Sequence, residues 1–96
     1  MKTSYRSSDP LTLIPGVGKS IARDLRNIGI TAVSDLRGKN PEVLYELSNN
    51  HAGTVQDRCL LYVFRCAVYF AGGGRNPEKL KWWNWKDHNN LPKGKI

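Results

Sequence analysis

The chain has 96 residues, with 15 lysines and arginines against 8 acidic residues and a formal net charge of +7. That length builds one domain around one core, and the charge points to an acidic partner, nucleic acid or an anionic surface, unless it serves solubility alone. A membrane span and an export signal are excluded as expectations: the longest apolar run, Cys59 to Phe64, stops at Arg65, and Met1 to Ser8 has no apolar stretch.

Residues 1 to 8 read as a flexible N-terminus, residues 9 to 87 as the domain, and residues 88 to 96 as a flexible basic tail. Asp9-Pro10 is a cap followed by proline at the first helical position, so a short helix is predicted to about Ile14. Pro15-Gly16-Val17-Gly18 then forces a turn. The two glycines accept positive φ and let another molecule approach the backbone closely, while Val17 turns inward as a plug. A second helix is predicted from Lys19 to about Ile28, and its first N–H groups have no partner within the helix. Such a helix start attracts anions, phosphate above all.

Within that helix Ile21, Ala22, Leu25 and Ile28 share one side, and Lys19, Arg23 and Arg26 share another. A phosphate at the turn would therefore meet further cations along its strand, and the Ser20 hydroxyl could add a donor. Gly18-Lys19-Ser20 has the look of a P-loop ending, but position 13, where that motif needs glycine, is Leu13, and a helix signal precedes it in place of a strand. Nucleotide hydrolysis is rejected on those grounds.

Gly29 ends the second helix and Ile30 supplies the apolar contact that follows such an ending. Thr31 is expected to cap a third short helix to Leu36, stopped by Gly38. Asn40-Pro41 opens a fourth, with Val43, Leu44 and Leu47 inward and a break at Asn49-Asn50. His51-Ala52-Gly53-Thr54 stands where a second hairpin would, with only one glycine. Asp57 to Ala71 is a long helix that is apolar over most of its circumference, hence buried on several sides. Its two cysteines, Cys59 and Cys66, lie too far apart along one helix to join, and both are expected in the core. With no sequon and no export signal, a reducing cytoplasm is expected. Gly72-Gly73-Gly74 turns the chain into a segment carrying Trp82, Trp83 and Trp85 among lysines.

Leu11, Ile14, Gly16, Val17, Gly18, Ala22 and Leu25 together resemble the helix-hairpin-helix motif. That resemblance implies non-sequence-specific binding of the DNA backbone, with the helices packed through Ala22 and the hairpin amides holding a phosphate. Gly29-Ile30 to Leu36 followed by Asn40-Pro41-Glu42 to Tyr45 looks like the tandem form found in DNA-repair and transcription proteins. The run Asp57-Arg58-Cys59, the run Leu61 to Ala67 and Leu80-Lys81-Trp82-Trp83-Asn84-Trp85-Lys86-Asp87 resemble the small bacterial pathogenicity locus family. The expected fold is all-α, a five-helix tandem helix-hairpin-helix domain with a degenerate second hairpin and a Trp-rich C-terminal segment.

The expected nucleic-acid contacts are Gly16, Val17, Gly18, Lys19, Ser20, Arg23 and Arg26, with DNA the favoured partner; the alternative is a turn that only packs. Arg58, Tyr62, Arg65 and Tyr69 form a stripe that stacks on a strand or is covered by the C-terminal segment. Trp82, Trp83 and Trp85 either stack on bases or close as a lid over the long helix. No paired carboxylates and no nucleophile with its base are visible, so no catalysis, cofactor or metal is expected. Two rival readings stand beside the binding module. One is an adaptor docking onto a larger DNA-processing protein; the other is a Schiff-base lyase on abasic DNA, for which only Lys19 is placed.

Overall fold

Pro15 sets the local geometry of the N-terminal part. Proline disfavours α conformation in the residue before it, so a helix begun at Pro10 cannot run through Ile14. A computed structural model of the chain, describing residues 10–86, shows a single 3-10 turn there, Pro10–Leu13, with the Ile14 amide on the Leu11 carbonyl at 3.2 Å. The Asp9 cap, the residue 1–8 segment, Asp87 and the 88–96 tail all lie outside the described residues.

Three α-helices follow: α1, Lys19–Asn27; α2, Pro41–Ala52; and α3, Arg58–Ala71. Further 3-10 turns occupy Val33–Leu36 and Trp82–Trp85, and no strand occurs among the described residues. The fold class is therefore all-α. Of the five expected helices, those at Pro10 and Thr31 are single 3-10 turns. No helix among the described residues is long and apolar enough to cross a membrane.

The third expected helix is also capped differently from the expectation. Ala32, not Thr31, precedes the turn, and the Asp35 carboxylate reaches back to accept the Thr31 amide at 3.0 Å and the Ala32 amide at 3.1 Å. Those amides hold the Asp35 carboxyl below its ordinary range. Two other starts follow the sequence. Asn40 accepts the Glu42 amide at 2.9 Å, and Asp57 accepts the Cys59 amide at 2.8 Å.

α2 departs from expectation in its end and in its face. It continues through Asn49-Asn50 to Ala52, where Gly53, at φ 76°, sets the turn. Asparagine is a weak helix former, but the Asn49 side chain here accepts the Gln56 amide at 2.9 Å and its Nε2 at 3.1 Å. Tertiary bonding overrides the propensity. Of the three residues expected inward only Leu44 is buried; Val43 and Leu47 are 48% and 46% exposed. Tyr45 and Ser48 take the inner face instead, because the 56–57 loop supplies their partners. The Tyr45 hydroxyl donates to the Gln56 carbonyl, and Gln56 Nε2 donates to the Ser48 hydroxyl at 2.9 Å.

α3 is the centre of the core. Leu60, Leu61, Val63, Phe64, Cys66, Ala67 and Ala71 are buried on it, against Leu11, Ile14, Val17, Leu25, Leu36 and Leu44 from the elements around. Cys59 does not join them. It lies in the first turn beside its cap and is exposed, whereas Cys66 is fully buried. At the other end Arg37 donates to the Ala71 carbonyl at 3.4 Å and Arg75 to the Phe70 carbonyl at 2.9 Å, placing two cations at the negative end of the helix.

The glycine triplet does more than end α3. The Gly74 amide returns to the Tyr69 carbonyl at 3.0 Å, and the Tyr69 ring lies where a Gly74 side chain would be. A Cβ there would fall 2.2 Å from Tyr69 Cζ. That ring cannot simply move aside: its hydroxyl accepts the Asn76 amide at 3.0 Å and its centroid is 5.7 Å from that of Trp85. Gly74→Ala should cost about 1–3 kcal/mol of overpacking. Gly72→Ala, whose Cβ would make only ordinary contacts at 3.6 Å, is the control and should stay within about 0.5 kcal/mol of wild type. Urea unfolding of the two variants checks this; equal stabilities would mean the Tyr69 ring is not fixed there.

Candidate functional site

The turn between the first 3-10 segment and α1 gathers most of the expected contacts. Ile14 and Val17 are buried, anchoring both sides of it, and the Val17 amide donates to the Ile14 carbonyl at 3.0 Å. That amide is thus spent inside the turn, and Val17 serves as the plug. Gly16 has φ +89°, a conformation that a side chain would strain. A Cβ on Gly16 would also lie 2.9 Å from Cδ1 of Trp82, so this glycine is needed internally on two counts.

Gly18 is different. Its φ is −94°, which any residue can adopt, and a Cβ added there would meet nothing within 4 Å. It is the N-cap of α1, yet no side chain caps that helix and no acidic residue lies in its first turn. α2 and α3 both have side-chain caps. The first turn of α1 instead carries Lys19, a cation at the positive end of the helix dipole, where it is locally unfavourable. Lys19, Ser20, Arg23 and Arg26 are all exposed. Lys19, Arg23 and Arg26 follow the 3.6-residue period along one side, with Ala22 and Leu25 buried on another.

The stripe on α3 is occupied. Arg65 Nη2 pairs with the Glu42 carboxylate at 2.7 Å, and Nη1 donates to the Trp85 carbonyl at 2.7 Å. The Arg58 guanidinium stands 5.9 Å from the Tyr45 ring centroid. The C-terminal segment lies along α3, and its 3-10 geometry explains the three tryptophans. A period of three residues places Trp82 and Trp85 on the same side, both partly buried, and leaves Trp83 on the other, 47% exposed. Trp85 Nε1 donates to the Lys79 carbonyl at 2.7 Å, while Trp82 lies against the Gly16 turn. The Cys66 thiol joins these parts: its Sγ is 3.4 Å from the Leu80 carbonyl and 3.9 Å from that of Pro15. Burial pushes that thiol up from its ordinary range.

One group sequence reasoning passed over is Asp24. It is partly buried on α1, no donor among the described residues pairs with it, and it lines an open cavity of about 460 Å³ that Gly16 and Trp82 also line. Its spacing of three from Ile21, at the edge of the apolar face, was the available signal; the cavity itself depends on Trp82, far away in sequence.

No solved structure matches the chain. A curated relative from Streptomyces lavendulae, described as mitomycin resistance protein McrB, is 40% identical over 83 residues, which is 86% of this chain and 75% of the relative. The model of a family described as "Pathogenicity locus" matches residues 5–90, spanning the hairpin, all three α-helices and the Trp segment. With nearly its whole length matched, the chain belongs to the pathogenicity locus family.

Proposed function

We propose that this chain binds nucleic acid, DNA in preference, through backbone phosphates and with little sequence selectivity. In this reading the Pro10–Leu13 turn, the Pro15–Gly18 hairpin and α1 form a helix-hairpin-helix unit. The second half, α2, the 51–54 turn and α3, is its degenerate tandem partner. The observation that carries the proposal is Gly18, a glycine that neither backbone conformation nor internal packing requires, at an uncapped helix start that carries Lys19. Close approach of an anion gives both a purpose. Amides of Gly16, Gly18, Lys19 and Ser20 are the donors, and Lys19, Arg23 and Arg26 follow the strand. We extend to this chain the setting named for its Streptomyces relative, mitomycin resistance, with nucleic-acid binding as its means.

Fluorescence anisotropy with labelled duplex and single-stranded DNA, titrated across salt, tests the proposal. Affinity should fall steeply with salt, and Lys19→Ala should lower the log–log slope by about 1. Gly18→Ala should weaken binding about tenfold by blocking backbone approach, while costing only about 0.5–1 kcal/mol of stability, the preference of an N-cap for glycine over alanine. Wild type that fails to bind even at low salt, or Gly18→Ala binding unchanged, would refute it.

A second reading, docking onto a larger DNA-processing protein, draws on exposed apolar groups. Val43 and Leu47 line one groove beside α2, and Trp83 lies on the far side of the C-terminal turn. Apolar docking responds little to salt, so the same titration separates the two. The lyase reading receives no support, because it needs a desolvated lysine and Lys19 is exposed.

A further inference from the structure

Gly16 is the soft point of the hairpin. On either side of it the chain is fixed: Ile14 and Val17 are buried and joined by the Val17 amide, and α1 begins at Lys19 with Ala22 and Leu25 fully buried. Gly16 itself holds φ +89°. A glycine visits negative φ about as readily, so its own preference does not keep that conformation. Rotation there would re-aim the Gly16 N–H, one of the proposed phosphate donors.

The Trp82 side chain closes that freedom from outside. Its Cδ1, Cγ and Cβ lie 2.9, 3.5 and 3.6 Å from the place a Gly16 Cβ would take, so the ring fills the space left by the absent side chain. Trp82 is itself held. It packs against the core, and its ring meets that of Trp83 in a T-shaped pair with centroids 5.8 Å apart. The backbone on both sides of Trp82 is anchored to α3. Cys66 Sγ is 3.4 Å from the Leu80 carbonyl, and Arg65 donates to the Trp85 carbonyl at 2.7 Å. The same sulfur is 3.9 Å from the Pro15 carbonyl, so one buried atom stands beneath both the hairpin and the C-terminal segment.

We propose that Trp82 is a positioning residue for the phosphate site, acting through Gly16, and that the segment around it is thereby part of the nucleic-acid site; the inference rests on phosphate binding at the hairpin. The ring keeps the Gly16 backbone in its binding conformation before any strand arrives. A turn that is already ordered loses less entropy on binding, and affinity rises by that saving. Trp82 adds no charge to the interface, and Lys19, Arg23 and Arg26 stand on a helix anchored separately by Ala22 and Leu25.

The test measures anisotropy of a labelled short duplex across salt, with the full chain, at a temperature where circular dichroism shows each variant folded. Trp82→Ala should weaken binding about tenfold and leave the log–log salt slope unchanged, because the same phosphates are neutralised. That separates it from Lys19→Ala, which lowers the slope. Trp82→Phe, which keeps a ring beside Gly16, should recover most of the affinity, and Trp83→Ala should stay within about twofold of wild type. Hydrogen exchange gives a second readout. The Val17 amide, bonded inside the turn, should exchange faster in Trp82→Ala, while the Ala22 amide, bonded to Gly18 at 2.9 Å, should not change. A general loss of stability would speed both alike. A folded Trp82→Ala that binds as tightly as wild type would overturn the proposal and leave the phosphate reading intact. Tighter binding would also overturn it, making the ring a cover over the site. If wild type binds no duplex at low salt, the phosphate reading fails and this proposal falls with it.

Discussion

Phe64→Ala is expected to lower stability by about 3–5 kcal/mol, measured by urea or thermal unfolding. Phe64 is fully buried and is the largest of the side chains with no exposure to water. It sits mid-way along α3, the helix on which core residues from the N-terminal turn, α1, the Val33–Leu36 turn and α2 converge. Removing its ring costs the transfer energy of the lost atoms and opens a cavity that helices on several sides cannot all close at once. A domain of this size has only about 5–15 kcal/mol in total, so the variant should be largely unfolded at modest denaturant. The exposed apolar residues give the contrast. Val55, 79% exposed, should tolerate Val55→Ala with a change under about 0.5 kcal/mol. A Phe64→Ala loss below about 1 kcal/mol would mean that α3 is not the centre of the core.

The features legible in the sequence are those fixed within a few residues. Asn40-Pro41 and Asp57 announce helix starts because their side chains bond amides two positions on, and the structure makes those bonds. Gly29 and the triplet after Ala71 announce stops. The amphipathic pattern of α1 is read correctly because Ala22 and Leu25 are buried in the apolar core. α2 resists the same reading. Its inner face is partly polar, held by Gln56, so an apolar period chooses Val43 and Leu47 and misses Tyr45 and Ser48. The break expected at Asn49-Asn50 fails for the same reason, since Gln56 occupies the asparagine that would otherwise compete with the helix.

The candidate site divides in the same way. The hairpin, Lys19 and the basic period of α1 are local and visible. The contact of Trp82 with Gly16 joins positions 66 residues apart, and no short-range pattern encodes it. A period of three residues puts Trp82 and Trp85 in line and turns Trp83 away, a spacing readable only once the segment is known to be a 3-10 turn. The contact also alters how the hairpin should be probed. A bulky residue at Gly16 strains a positive φ and pushes into Trp82, so lost binding could follow from a displaced C-terminal segment. Side chains that touch nothing internal make the cleaner probe.

Lys19→Glu combined with Arg23→Glu is therefore the decisive variant, expected to weaken DNA binding by at least about a hundredfold at low salt. Two cations are removed and two anions are set beside the incoming phosphates, so attraction is replaced by repulsion. Stability should not fall, and should rise by up to about 1 kcal/mol, because the charge change favours the helix. Glutamate in the first turn of α1 complements the helix dipole, which gains about 0.3–1 kcal/mol over the unfavourable lysine. The i and i+4 pair is like-charged before and after the change, so its repulsion cancels in the comparison. Anisotropy and urea unfolding on the same preparation check both halves. Affinity retained in a folded variant would remove α1 from the interface. A folded variant that no longer binds would place the basic side of this helix in the phosphate interface, since neither substitution alters the hairpin, the core or the Trp82 contact.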